Sequence, residues 1–130
     1  MSGPRIPDQA ADLLDEPNVA ALATIEPDGS PQVTAVWVGR DGDTLLIPMK
    51  RHLRKTQNIR RDSRVSVLIT SRVDPEHFLE VRGTVELVDD PTSSLATRLA
   101  VKYDGAPLPP DDEGHLRMIA RVTPTRVRVG

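Results

Sequence analysis

In the run FLEVRGTVELVDD, residues 78–90, Leu79, Val81, Gly83, Val85 and Leu87 alternate with Glu80, Arg82, Thr84 and Glu86. A period of two sustained over that length is the signature of an extended strand with one face in a core and the other toward solvent. A strand this long and this regular reads as the wall of a β-barrel, with Gly83 marking a bend. The rest of the chain has to supply strands that complete the wall.

Valine occurs 14 times, whereas Trp37, Phe78 and Tyr103 are the only aromatic residues, a balance that favours a β-rich aliphatic core. Pro7 opens a short amphipathic helix through about Asp15, with Ile6, Ala10, Leu13 and Leu14 as its apolar side and Pro17 as its stop. NVAALATI at 18–25 reads as a strand, EPDGS carries an Asp-Gly hairpin turn, and PQVTAVWVGR at 31–40 is the partner strand. Val33, Ala35, Trp37 and Gly39 fall on one face of that partner and Gln32, Thr34, Val36 and Val38 on the other, so both faces are expected to be covered. A DGD turn at 41–43 and TLLIPM then complete a three-stranded antiparallel meander.

Arg64–Thr70, RVSVLIT, is a buried strand, and Pro91 starts a helix through about Tyr103. DGAPLPPDDEG at 104–114 has the composition of a loop that carries contacts or caps a pocket. LRMIARVT and TRVRVG finish the chain as two short strands broken by Pro124. The sum is one mainly β domain over residues 1–130, an antiparallel barrel of six to seven strands with flanking helices.

Charge is concentrated at MKRHLRKTQNIRRDSR, 49–64, where seven cations oppose only Asp62; since the whole chain carries −2, the remainder carries −8. A compact basic element on an acidic protein suits one specific anion better than long-range attraction to a polyanion. At 100° per residue, Leu53, Thr56 and Ile59 form a docking side, while Arg51, Lys55, Asn58 and Asp62 cluster beside it. A helix starting near His52 or Leu53 aims its free N–H groups and positive dipole end at the region of Lys50, Arg51, Arg54 and Lys55, which suits phosphate. The competing reading is a solvated basic surface.

Other chemistries find little support. The chain has no cysteine, so disulfides, Cys-ligated zinc, iron–sulfur clusters and a Cys nucleophile are excluded. His52, His77 and His115 lie in separate elements without a helix-spaced pair, so no metal is expected. No serine stands in a nucleophile elbow, and neither a phosphate-binding loop nor a dinucleotide fingerprint is present. The polar start, MSGPRIPDQAADLLDEP, lacks the apolar segment of a secretory signal and no run reaches membrane-spanning length, so a soluble, cytoplasmic protein is expected. Scarce aromatic residues and the acidic remainder argue against nucleic acid as partner.

Five segments, ALATIEPDGSPQVTAVWV, DGDTLLI, RKTQNIRRDSRVSVLI, EVRGTVELVDD and LAVKYDG, make the chain from about residue 8 to 128 resemble the split β-barrel flavin and deazaflavin proteins related to pyridoxamine 5'-phosphate oxidase. The likeness is strongest to the actinobacterial F420-dependent branch. It implies a homodimer with a cofactor in each of two grooves lined by both chains. It also implies that the cofactor phosphate meets Lys55 and Asn58, the Lys and Asn of a K-x-x-N segment, together with Met49, Lys50 and Arg51, with Arg54 and Thr56 as additional contacts. The flat ring is expected against Gln32, Val33, Thr34, Ala35, Ile47 and Pro48, with Trp37 either reaching the partner's site or packing in the dimer interface.

Several Lys and Arg along one groove suit the phosphodiester and carboxylate-rich tail of coenzyme F420, with FMN as the alternative. The ending PTRVRVG lacks the C-terminal Arg and His segment of the pyridoxamine phosphate oxidases proper, which argues against vitamin B6 chemistry. The function the resemblance implies is hydride transfer from reduced deazaflavin to a small electrophile such as an enone or quinone. The alternatives are an FMN-bound oxidase or reductase and a non-catalytic cofactor carrier. No catalytic side chain is identified, and the proton donor stays open among Tyr103, the proline-rich loop and solvent.

Overall fold

A computed structural model describes residues 4–108 and 116–130. A short 3-10 turn, Asp8–Ala10, leads into α1 (Ala11–Asp15). Then follow β1 (Ala20–Ile25), β2 (Pro31–Val36), β3 (Gly39–Asp41), β4 (Thr44–Lys50), α2 (Arg54–Arg61), β5 (Arg64–Thr70), β6 (Phe78–Asp89), α3 (Ser94–Asp104) and β7 (Arg117–Val129). The proline-rich segment expected to cap a pocket lies partly outside the described residues, as does His115.

All pairings are antiparallel, and the sheet runs β2-β1-β5-β6-β7-β4-β3. Its two edge strands, β2 and β3, are consecutive in the chain and joined only by Trp37 and Val38, so the sheet curls until its edges meet through a covalent link instead of a hydrogen-bond ladder. This is a split barrel.

The expected three-stranded meander is thereby corrected. The run 31–40 is divided: its first part pairs with β1, its last part with β4, and β2 does not pair with β4. The physical reason is the burial of Val38 and Gly39 just past the half-exposed Trp37, which turns the chain from one edge of the sheet to the other. Expected cover on both faces of this run also fails in the single chain, where Val33 is 62% exposed.

Val38, Leu45, Ile47, Val67, Ile69, Leu79, Val81 and Val122 are fully buried and fill the barrel, with Leu13 and Leu14 of α1 packed over it. Each such side chain contributes about 1.5–3 kcal/mol on leaving water. The expected alternation in β6 holds, with Leu79, Val81 and Gly83 buried. Gly83 sits at a β-bulge where the register with β7 slips. A Cβ there would lie 2.3 Å from the Thr123 carbonyl oxygen, so only glycine fits. Pro124 is the residue opposite, and the bulge accommodates its missing N–H. The expected break into two short strands is therefore corrected to one continuous β7.

At the start of α3 the buried Asp90 accepts hydrogen bonds from the Ser94 N–H (3.0 Å) and hydroxyl (2.8 Å) and the Leu95 N–H (3.0 Å), capping free donors of the helix. Leu95 and Leu99 then pack on Leu46, with Trp37, Tyr103 and Ile119 around them. Among the described residues, no helix is long and apolar enough to cross a membrane.

Candidate cofactor cleft

The basic helix α2 begins at Arg54 because the preceding turn is tied down from below. Thr56 donates its hydroxyl to the Lys50 carbonyl (2.7 Å), the Leu53 N–H donates to the same carbonyl (3.3 Å), and the Gln57 amide donates to the Arg51 carbonyl (3.1 Å). Thr56 and Ile59 are buried and Leu53 packs on the core, which is the docking side the spacing predicts.

Asn58 differs from expectation. It is 1% exposed, and its amide donates to Thr24 Oγ1 (3.1 Å) and Gln32 Oε1 (3.3 Å), while its oxygen accepts from Arg61 (3.3 Å). Thr24 in turn donates to Gln32 Oε1 at 3.1 Å, and Arg61 donates to the Ile25 carbonyl. Buried polar groups have to be satisfied, and here they satisfy one another. Asn58 and Gln32, expected at the ligand, fasten α2 to the β1–β2 hairpin, and Thr56, expected there too, ties α2 to the end of β4. Ile47 and Met49, also expected there, point into the barrel, at 0% and 3% exposure.

Lys55 lies on the other side of the helix. It is half-buried, its Nζ donates to Thr34 Oγ1 at 3.2 Å, and burial pushes its pKa below the ordinary lysine value. It faces a cavity of about 390 Å³ shared with Ala35, Trp37, Pro48 and Arg117. The cavity occupies the seam where β2 and β4 are not paired. Past Leu46 the outer edge of β4 has left β3, so Pro48, which has no N–H to donate, fits there without loss.

Arg117 was not anticipated from the sequence. It stands opposite Lys50 in the β4–β7 ladder, a pairing between residues distant in the chain that no local pattern reveals. The alternation of Arg117, Ile119 and Arg121 was the available signal.

The exposed arginines are differently placed. Arg54 donates twice to Glu26 (2.9 and 2.7 Å), Arg51 donates to Asp89 (2.9 Å), and Arg64 donates to Asp62, whose pKa falls to about 2 through those hydrogen bonds. Tyr103, a proton-donor candidate, directs its hydroxyl to the Asn18 carbonyl at 2.7 Å. A wider groove, about 530 Å³, lies on the outer wall around Ser66, Arg82 and Thr125. Of its two arginines, Arg64 is paired with Asp62 and Arg82 is exposed on the strand's outer face, whereas the smaller cleft holds an ammonium already half out of water, which makes that cleft the stronger candidate for an anion.

The cleft sets two cations beside an indole and a proline ring, a lining that fits a flat anionic group, on a split-barrel fold. The sequence pattern of the pyridoxamine 5'-phosphate oxidase family matches residues 6–129, and the chain belongs to that family. A solved structure named as an F420 reductase is 36% identical, with TM-score 0.87, over 95% of this chain and 98% of its own. A conserved hypothetical protein from Mycobacterium tuberculosis is 26% identical, with TM-score 0.76, over 99% of this chain and 89% of its own. A Listeria innocua protein named for pyridoxamine 5'-phosphate oxidase is 26% identical, with TM-score 0.71, over 94% and 95%. No curated protein matches the chain.

Proposed function

We propose that the protein is a cytoplasmic F420-dependent reductase, with Lys55 and Arg117 holding the anionic part of the coenzyme and Trp37 and Pro48 flanking its ring. The observation that carries this reading is Lys55, a desolvated ammonium hydrogen-bonded to a neutral hydroxyl in a cleft that contains a second cation. Keeping such a charge half out of water opposes folding, and an anion in the cleft offsets that cost.

When bound, reduced deazaflavin supplies the hydride that reduces a small electrophile such as an enone or quinone. The protein orients and shields. Lys55 and Arg117 fix the charged end, while Trp37, Ala35 and Pro48 limit water along the seam.

The long anionic tail of F420 favours it over FMN, because Arg51 and Arg54, exposed and close to Lys55 in the chain, can exchange Asp89 and Glu26 for ligand carboxylates. Exposed pairs of this kind hold only about 0.2–1 kcal/mol, so the exchange is inexpensive. Similarity to the protein named as an F420 reductase supports the same choice.

A homodimer completes the reading. Ala35 on β2, Ala21 on β1 and Leu68 on β5 stand in register, with Val33 two residues along β2 on the same face, and Val33 and Leu68 are 62% and 42% exposed. An apolar strip of this kind next to the cleft suits a second copy of the chain.

Titration of the purified protein with FMN and F420 side by side, followed by absorbance, tests the cofactor. Binding of F420 in preference to FMN supports the proposal; FMN alone transfers it to a flavin enzyme, and binding of neither overturns it. Stopped-flow oxidation of bound reduced F420 by enones and quinones separates a reductase from a carrier. Light scattering of the eluting protein checks the dimer.

A further inference from the structure

Trp37 forms one wall of the cleft, yet it lies in the two-residue link between β2 and β3, outside any strand. Something other than a ladder has to hold it. Its indole stacks on the phenol of Tyr103, with ring centres 5.2 Å apart and planes 6° from parallel. The Tyr103 hydroxyl accepts the Val38 N–H (3.1 Å) and donates to the Asn18 carbonyl (2.7 Å). The neighbouring Lys102 Nζ donates to the Val38 carbonyl (2.8 Å) and to the Leu14 carbonyl.

Val38 is fully buried, so both of its backbone polar groups depend on side chains from the last turn of α3. Burial raises the Tyr103 pKa and lowers that of Lys102, so the hydroxyl keeps its proton and the ammonium is held by carbonyl oxygens.

We infer that Tyr103 is a positioning residue: by stacking on Trp37 and tying the Val38 peptide to β1's approach at Asn18, it fixes the indole as the wall of the cleft. The link joins the two edge strands of the split barrel and takes part in neither of their ladders. That this wall faces a coenzyme rests on the function proposed above; that Tyr103 sets the orientation of Trp37 does not.

Trp37 is the only tryptophan, so its emission reports this contact directly in ligand-free protein. Tyr103→Phe keeps the stacked ring and removes the hydroxyl, whereas Tyr103→Leu removes both. The expected result is a red-shifted Trp37 emission and stronger quenching by iodide in Tyr103→Leu, with an intermediate change in Tyr103→Phe, whose melting temperature also falls because the buried Val38 N–H loses its acceptor. Loss of one aromatic contact should also weaken binding of F420, or of FMN if that is the coenzyme taken, about 2- to 10-fold. Emission and quenching that match wild type in both variants overturn the clamp. If Tyr103→Leu fails to fold, the Tyr103→Phe spectrum decides alone. If wild type binds neither coenzyme, the proposed function fails while the emission still tests the clamp.

Discussion

The outer and inner sides of α2 carry the same kind of residue and use it in opposite ways. Outside, Arg54 meets Glu26 and, flanking the helix, Arg51 meets Asp89 and Arg64 meets Asp62, so these three exposed cations each already have a carboxylate partner. Inside, Lys55 is half-buried against a hydroxyl, and its pKa is lowered by burial, the one cause that is resolved. Charge count is therefore a poor guide to where an anion binds. What distinguishes the two sides is desolvation, since a charge already stripped of part of its water gains more from a ligand than one already paired.

The sharpest way to break this contrast is Lys55→Met, which keeps the apolar stem and removes the ammonium. Coenzyme affinity should fall by about 1.5–3 kcal/mol, the range for charge-assisted contacts. The ligand-free protein should melt no lower than wild type, because a half-buried charge is removed along with its cost. Unchanged affinity, measured by titration, would place the anion elsewhere.

A related effect follows from pH. Because Lys55 is lowered in the folded state, the unfolded chain binds more protons in the alkaline range, and this residue adds stability as pH rises through its folded pKa. Coenzyme affinity runs the other way, falling over the same range as the ammonium loses its proton. Lys55→Arg, which stays charged, should flatten the affinity profile in a titration at several pH values.

Next in size is the fastening behind Lys55. Asn58→Ala leaves Thr24, Gln32 and Arg61 short of partners in a buried network, and should cost about 1–3 kcal/mol of stability in a denaturant melt. If affinity fell as far as in Lys55→Met while stability held, Asn58 would be a ligand contact after all.

How far these roles were legible follows from distance in the chain. The alternation of β6, the Asp28-Gly29 hairpin and the docking side of α2 are local patterns, and each appears where the sequence predicts it. Lys55 was singled out among the seven clustered cations by the K-x-x-N segment of the family resemblance. Arg117 was not, because its place beside Pro48 and Lys50 depends on the β4–β7 register, which no single segment encodes. The burial of Asn58 was hidden for a related reason: helical spacing places it beside Lys55, but the hairpin that buries it comes from residues 24–32. The meander failed because nothing local marks the point at which one extended run changes partner strands. Trp37 and Val38 turn there through contacts with Tyr103 and Lys102, side chains more than sixty residues away.

The smallest effect probes the outer side. Arg54 and Glu26 form a bidentate contact to one carboxylate oxygen, with the arginine 64% exposed, and exposed pairs contribute only about 0.2–1 kcal/mol. Arg54→Ala, Glu26→Ala and the double variant should therefore give a coupling energy in that range in ligand-free protein, shrinking as salt is added. Binding supplies a second reading of the same cycle. If Arg54 swaps Glu26 for a tail carboxylate, Glu26→Ala should tighten binding of F420 by releasing the arginine, and Arg54→Ala should weaken it, each by less than Lys55→Met does. FMN, which has no such tail, should respond to neither. An equal response of both coenzymes would mean that the outer side acts only through its overall field, and the division between a specific inner side and a neutralised outer one would have to be redrawn around charge alone.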